Sequence, residues 1–416
     1  MSGSRRVPVS QKGEETRERI LKRASFLFFH QGYHPTSIVQ IARKVSISPA
    51  AVYQYFRSKE QIYQEILGSF QEDFLSTIQT GSLRRYPESL GYWVSNILEG
   101  IWSYRALFRV FRGAEFVQFE AAKEFHDRWV NTVIQSFFPK TDPLIGEVGS
   151  WYLMGPLLYV ATKWIVWNAS PVPEIYQKGL IDFFMNGISP NKYSYQLGDE
   201  SLSFCSTVKR MPEIASREEN SGQRNRGTQT RNKILDAAEK LFGEQGYYHT
   251  HIHEIASHSD CGVGTVYLYF QSKLEILREL VEEVNHQLRL YIRSQTASVF
   301  DRRDTEIVGY RAFLEFFQHH WKMYGIVRES EFVDHSITSA YYGRLEEGYR
   351  KVLPLAMEHG QIRNMDPQLL AWCLMGLGHT MGESLLIFRD PDPSSFQRYL
   401  TALSHLLYNG IADPSI

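Results

Sequence analysis

VYQYFRSK at residues 52–59 and VYLYFQSK at residues 266–273 are one octapeptide written twice with two changes. Each is preceded at the same distance by Gln-Gly-Tyr (residues 31–33 and 245–247), by a threonine (Thr36 and Thr250) and by Ile-Ala (residues 41–42 and 255–256). Laying residues 16–67 over residues 230–281, an offset of 214 with no gap, matches about 22 of 52 positions, which marks a duplication. A weaker echo continues beyond this core. Glu115-Phe116-Val117 answers Glu331-Phe332-Val333, Trp151 to Gly155 answers Trp372 to Gly376, and Asn186-Gly187-Ile188 answers Asn409-Gly410-Ile411. The offset drifts from 216 to about 223, as loop insertions produce, so whole subunits were duplicated.

Within the repeat, Ile20, Leu21, Ala24, Leu27 and Phe28 recur at helical spacing, and Gly32 is a natural stop. A second, short helix is expected from Thr36 or Ser37, where Ser37 and Gln40 have capping-box spacing; it buries Ile38, Ile41, Ala42 and Val45. Ser48 caps a third helix with Pro49 at its first position, running through Val52 to Phe56. Two short helices joined by a brief turn form a helix–turn–helix, whose second helix fits the width of the major groove.

These spaced elements, agreeing twice in one chain, closely resemble the amino-terminal domain of TetR-family regulators. The resemblance covers the two helix–turn–helix segments strongly and the larger domains loosely. It implies an all-α fold of two tandem subunits, each a three-helix DNA-binding domain followed by a helical bundle that pairs with a partner and encloses an effector pocket. The expected boundaries are residues 1–68 and 69–189 for the first subunit, a linker at 190–227, and 228–282 and 283–416 for the second. Polar and charged, the linker would span roughly 35 Å as a random coil, which makes pairing of the two repeats within one chain geometrically possible.

Carried over position by position, the resemblance puts Thr36, Tyr53 and Lys59, with Thr250, Tyr267 and Lys273, on phosphates, contacts that fix register. It puts Pro49, Ala50, Ala51 and Gln54 in the first repeat, and Val263, Gly264, Thr265 and Leu268 in the second, at base edges; Ser48, Tyr55 and Tyr269 complete the DNA-facing set. The two base-reading sets differ at every position. Gln54 can pair with adenine, whereas Leu268 offers apolar contact such as to a thymine methyl, so a target with two unlike halves is expected. Core packing is the competing reading for Tyr53 and Tyr267, and a solvated surface charge for Lys59 taken alone. Arg5, Arg6 and Lys12, and likewise Arg224 and Arg226, sit in polar arms ahead of each module.

The formal net charge is -1, but residues 1–68 carry 11 basic against 5 acidic residues while residues 224–281 balance at 7 against 7. A basic module on a mildly acidic body suits a protein whose one end meets a polyanion. Hydrophobic residues at 43% and charged residues at 22% are ordinary for a globular protein. The longest apolar stretches, such as Trp151 to Trp167, are interrupted by Pro156 and Lys163, so no membrane span is expected. No apolar segment follows Arg5 and Arg6, which points to a cytoplasmic protein. Cys205, Cys261 and Cys373 are scattered without CxxC spacing, so reduced thiols are expected.

The larger domains read as helical bundles. Arg112 to Val117 and Arg328 to Val333 share Arg-x-(Ala/Ser)-Glu-Phe-Val, which places an arginine and a glutamate three apart on a helix: an ion pair, or an anchor for an anionic effector. Effector-binding candidates are Arg112, Trp151, Tyr159, Arg328 and His379, with core packing the alternative for the aromatics. His249, His251, His253 and His258 cluster near Cys261, but residues two apart point to different sides of a helix and no metal site is assigned. No catalytic set, phosphate-cradling glycine loop or zincin signature appears, and no cofactor is expected. The expected function is therefore a DNA-binding regulator, acting as a repressor released by a small molecule, with duplex DNA and an effector as partners and further pairing of two chains left open. The alternative is a sensor or interaction protein in which only the first module still binds DNA.

Overall fold

The computed structural model of the chain describes residues 11–81, 88–191, 226–389 and 395–411, with 18 α-helices among them. The segment 192–225, and with it most of the expected linker and Arg224, lies outside the described residues, as do Arg5 and Arg6. Helix α1 (Gln11–Gln31) buries Ile20, Ala24, Leu27 and Phe28 on one stripe and stops where Gly32 adopts φ +87°. Helix α2 (Ile38–Val45) opens on the expected capping box: the Ser37 side chain accepts from the Gln40 amide at 3.2 Å and the Gln40 side chain accepts from the Ser37 amide at 2.8 Å. It closes at Ser46 in the left-handed region. Helix α3 (Pro49–Tyr55) has Ser48 as cap and Pro49 at its first turn. Helices α4 (Lys59–Gly81), α5 (Glu88–Ser103), α6 (Arg105–Arg112) and α7 (Phe119–Phe137) follow, then α8 (Pro143–Ala161) and α9 (Glu174–Asn186).

The second repeat rebuilds the plan with α10 (Arg226–Gln245), α11 (Ile252–His258), α12 (Val263–Tyr269) and α13 (Lys273–Thr296). Its caps have eroded. His251 replaces Ser37, and Gly262 replaces Ser48 and leaves α12 without a side-chain cap bond, a change from serine to glycine that costs roughly a few tenths of a kcal/mol. The bundle of the second repeat is α14 (Arg302–His319), α15 (Trp321–Val333), α16 (His335–Glu358), α17 (Pro367–Gly382) and α18 (Phe396–Asn409). Both α8 and α17 run on into a π-helical turn, Thr162–Trp167 and Glu383–Ile387.

Two compact units result: the described residues of Met1–Ser136 with Ala161–Val172, and those of Phe137–Val160 with Pro173–Ile416. The division does not follow the duplication, because α8 and α9 of the first repeat pack with α17 and α18 of the second. Their contacts are reciprocal. A Cβ on Gly155 would stand 2.7 Å from the Gly376 carbonyl oxygen, and one on Gly376 would stand 2.5 Å from that of Gly155. The Ile188 amide donates to the Leu407 carbonyl at 2.8 Å, and the Ile411 amide to the Phe184 carbonyl at 2.8 Å. Gly187 at φ +60° and Gly410 at φ +71° turn the chain into this exchange. Contacts in which each side presents the same patch to the other are the mark of a twofold relation, here inside one chain. Gly155 and Gly376, the last residues of the Trp151 to Gly155 echo, thus face each other.

No helix among the described residues is long and apolar enough to cross a membrane.

Candidate nucleic-acid interface

Val52 and Phe56 are fully buried beside Ile20, Phe28, Ile41 and Tyr63, and this anchoring decides which face of α3 is left outside. Burying each such side chain contributes roughly 1.5–3 kcal/mol. The outer face carries Tyr53 at 48% exposure with Gln54, Pro49, Ala50 and Ser48 also exposed and Ala51 partly so. In α12, Val266 and Phe270 are buried in the same way, leaving Tyr267 at 52%, Leu268 at 84%, Val263 and Gly264 exposed and Thr265 partly so. Core packing for the two tyrosines is thereby excluded. Leu268 is therefore free of the fold and open to contact from outside. Tyr55 is half-buried and packs against the core of its module; Tyr269 is half-buried as well.

Thr36, Thr250, Lys59 and Lys273 have a different occupation from the phosphate grip expected of them. Thr36 is 1% exposed; its hydroxyl donates to the Gly32 carbonyl at 2.7 Å and accepts from Gln31 at 3.0 Å. Thr250 is equally buried and donates to Gly246 at 2.8 Å. The Lys59 ammonium folds back onto the carbonyls of Tyr33, His34 and Thr36 at 2.9, 3.3 and 2.8 Å, and sits 4.1 Å from the Tyr33 ring centre. Lys273 does the same with Tyr247 and Thr250 at 2.6 and 2.7 Å, again 4.1 Å from a tyrosine ring. Burial lowers both lysine pKa values from their ordinary range. These four side chains strap the start of the long helix to the turn before the helix–turn–helix, an internal task that spacing alone cannot tell from an external one.

Other duplicated contacts hold each module to its long helix. Arg17 pairs with Glu65 and lies 4.9 Å from the Phe56 ring centre; Arg231 pairs with Glu279 at the same distance from Phe270. The modules differ in charge at the end of the first helix–turn–helix helix, where α2 exposes Arg43 and Lys44 and α11 exposes Ser257 and His258. His251 and His253 stack at 5.5 Å with an interplanar angle of 12°. The expectation that they point apart fails because His251 is the cap, in extended backbone, and so lies off the helical grid. Among the described residues no cluster of three or more histidine, cysteine or acidic residues could hold a metal ion.

Of the effector candidates, Tyr159 and His379 are in contact and Arg328 lies one ring away, across Tyr324, while Arg112 and Trp151 stand apart from them. Arg112 ends α6, and Glu115 follows in a 3-10 turn after Gly113, so this pair does not share an α-helix. Arg328 and Glu331 do share α15, but the buried Arg328 guanidinium reaches Glu383 in the π-turn at 2.8 Å. Trp151 is core, 5.3 Å from Tyr399. Tyr159 is buried, stacked on His379 at 5.6 Å. Among the described residues, His379 alone of the five lines an open cavity of about 520 Å³ between α13, α14, α16 and α17; the other lining residues went unrecognised, because a charged residue on a helix carries no periodic signal.

Next to Arg328, Glu329 accepts from the Tyr247 amide at 2.9 and 3.1 Å and so ties α15 to the turn before α11. Burial raises its pKa from 4.5 to about 7, against the opposing pull of the Tyr247 amide and Lys273. A raised carboxyl means that the folded state holds the extra proton, so this contribution to stability is full below about pH 4.5 and is lost as pH rises to about 7. Glu329→Gln removes the titration. From pH 5 to pH 8 the wild type is expected to lose about 2–3 kcal/mol relative to the variant, measured as urea midpoints. Parallel profiles would refute this.

A buried-backed helix with an exposed polar and aromatic face, presented after a two-turn helix, defines a helix–turn–helix protein that meets duplex DNA. The family described as "Bacterial regulatory proteins, tetR family" matches residues 20–66 and again residues 234–280. Each of the two helix–turn–helix segments thus carries the DNA-binding domain of this family. It is 30% identical over 114 residues to the HTH-type transcriptional regulator HbdR of Aromatoleum sp. (strain CIB), covering 26% of this chain and 46% of that one. Over 86 residues it is 36% identical to LmrA of Bacillus subtilis (21% and 44%), and over 63 residues 40% identical to SrpR of Pseudomonas putida (15% and 30%). The chain thus spans less than half the length of these curated relatives. Among solved structures, the TetR family regulator PfmR from Thermus thermophilus aligns at 24% identity and TM-score 0.36, covering 42% of this chain and 97% of that one.

Proposed function

We propose that this chain is a transcriptional regulator that reads an operator of two unlike halves with two fused modules, and that it acts as a repressor released by a small molecule. The observation that carries the reading is the pair of outward faces: tyrosine with Gln54 on α3, tyrosine with Leu268 on α12, each backed by a buried valine and phenylalanine. Glutamine and leucine meet different base edges, so the half-sites differ. The reciprocal contacts around Gly155 and Gly376 support pairing of the repeats within one chain in place of a second subunit.

Release is supported by a continuous set of contacts in the second repeat. His379 lines the cavity on α17; one turn on, Glu383 holds Arg328, and the adjacent Glu329 holds the Tyr247 amide, whose own carbonyl receives Lys273. A ligand that shifts α17 therefore has a packed route to the turn that precedes the second helix–turn–helix and to the start of α13.

Selection of bound sequences from random duplex DNA, at stated salt, tests the proposal. Two unlike half-sites at fixed spacing are the expected result. A palindrome, or no enrichment, overturns it. A single half-site would favour the alternative in which the second module is idle, a reading that the loss of Arg43 and Lys44 counterparts and of the α12 cap supports.

A further inference from the structure

The cavity in the second repeat has an unequal complement of charge. Arg289, Arg293, Arg302, Arg344 and Lys351 line it against the single carboxylate Glu306. Some of these cations are already committed. Arg302 pairs with Glu306, which also accepts from the Tyr349 hydroxyl at 3.2 Å; Arg344 bonds Glu282 at 3.1 Å, and Lys351 bonds Glu347 at 2.8 Å. The remaining two form no ion pair, although Arg289 lies close enough to Glu347 to lower that carboxyl's pKa together with Lys351. Arg289 bonds the uncharged amide oxygen of Asn285 at 2.9 Å, and Arg293 makes no hydrogen bond or ion pair among the described residues. The Nε of Arg302 is buried without a hydrogen-bond partner, so it is sealed from the cavity and offers a ligand nothing. The rest of the wall is apolar, from Leu288, Ile292, Phe313, Leu374 and Met375. Its volume of about 520 Å³ is within the range of ligand sites.

We propose that this cavity binds an amphipathic organic anion, an apolar carboxylate whose hydrocarbon body fills the space between α13, α14 and α17 and whose oxygens meet the uncommitted arginine donors. Apolar walls exclude a small polyanion, which would lose its hydration without replacement. Excess guanidinium excludes a cationic amphiphile of the same size. A carboxylate suits the planar guanidinium forks of Arg289 and Arg293 on the rim, which can each meet both of its oxygens. The inference rests on the effector reading above and names its ligand class.

Isothermal titration of the full chain with sodium decanoate, 1-decanol and decyltrimethylammonium tests it. Decanoate is expected to bind at least tenfold more tightly than either. Arg289→Ala with Arg293→Ala, both on the exposed rim and so harmless to folding, should lower decanoate affinity about tenfold and leave decanol unchanged. Gly309→Phe, whose Cβ has ordinary contact with Ile292 at 3.9 Å, should fill the space and abolish both. Equal binding of the cation, no decanoate binding at millimolar concentration, or wild-type decanoate affinity in either variant would overturn the proposal. A gel shift run in parallel separates the two readings: decanoate bound with operator DNA retained would sink the release mechanism and leave the ligand class standing.

Discussion

Gly376→Val is expected to destabilise the protein by about 4 kcal/mol or more and to lower DNA affinity with it. At this position a Cβ would lie 2.5 Å from the Gly155 carbonyl oxygen and 2.8 Å from the Tyr159 Cβ. The first of these is backbone within a helix and cannot rotate away, so α8 and α17 would have to separate. That separation also strains the amide exchange between Ile188 and Leu407 and between Ile411 and Phe184. Gly155→Val should cost a similar amount, since the contact is mutual. Gly343→Ala in α16 is the control: nothing lies within 4 Å of its Cβ, and a gain of roughly 0.5–1 kcal/mol is expected from the stiffer unfolded chain. Thermal or urea unfolding measures all three. A Gly376→Val chain as stable as the control would show that the two repeats do not meet where described.

The second large effect concerns the reading faces. Tyr53→Ala with Gln54→Ala should weaken binding to the selected duplex at least tenfold while leaving the unfolding midpoint unchanged, because both side chains stand outside the core. Tyr267→Ala with Leu268→Ala should do the same if the second module reads bases, and each pair should relax preference in one half of the site only. Binding at several salt concentrations separates the contributions: loss of a base contact leaves the salt slope intact, whereas removal of Arg43 and Lys44 should flatten it. Unaltered binding in both double variants would remove the helix–turn–helix from the mechanism.

Local signals in the sequence were reliable where one residue settles a backbone problem. Ser37 with Gln40, Ser48 with Pro49, and Gly32 each stand at the helix end they forecast, because capping depends on neighbours along the chain. The recurrence of Thr36 and Lys59 in both repeats was equally legible, but its purpose was not. A spaced threonine and lysine look alike whether they face a phosphate or close a turn, and only the third dimension shows the ammonium ringed by carbonyls. Arg289, Arg293 and Arg302 were invisible for a related reason: they gather around one space from two helices, and no pattern within either helix records that. The glycines that face each other were seen as an echo, without any sign that the echo was between partners.

The mutual fit at Gly155 and Gly376 bears on how such a molecule changes over generations. In an assembly of two identical chains, one codon change alters both sides of the axis at once, so any asymmetry is forbidden at birth. Here each side has its own codon. The half that carries Gln54 and the half that carries Leu268 can be retuned one at a time, and because the partners are covalently joined, dilution cannot part them while that happens.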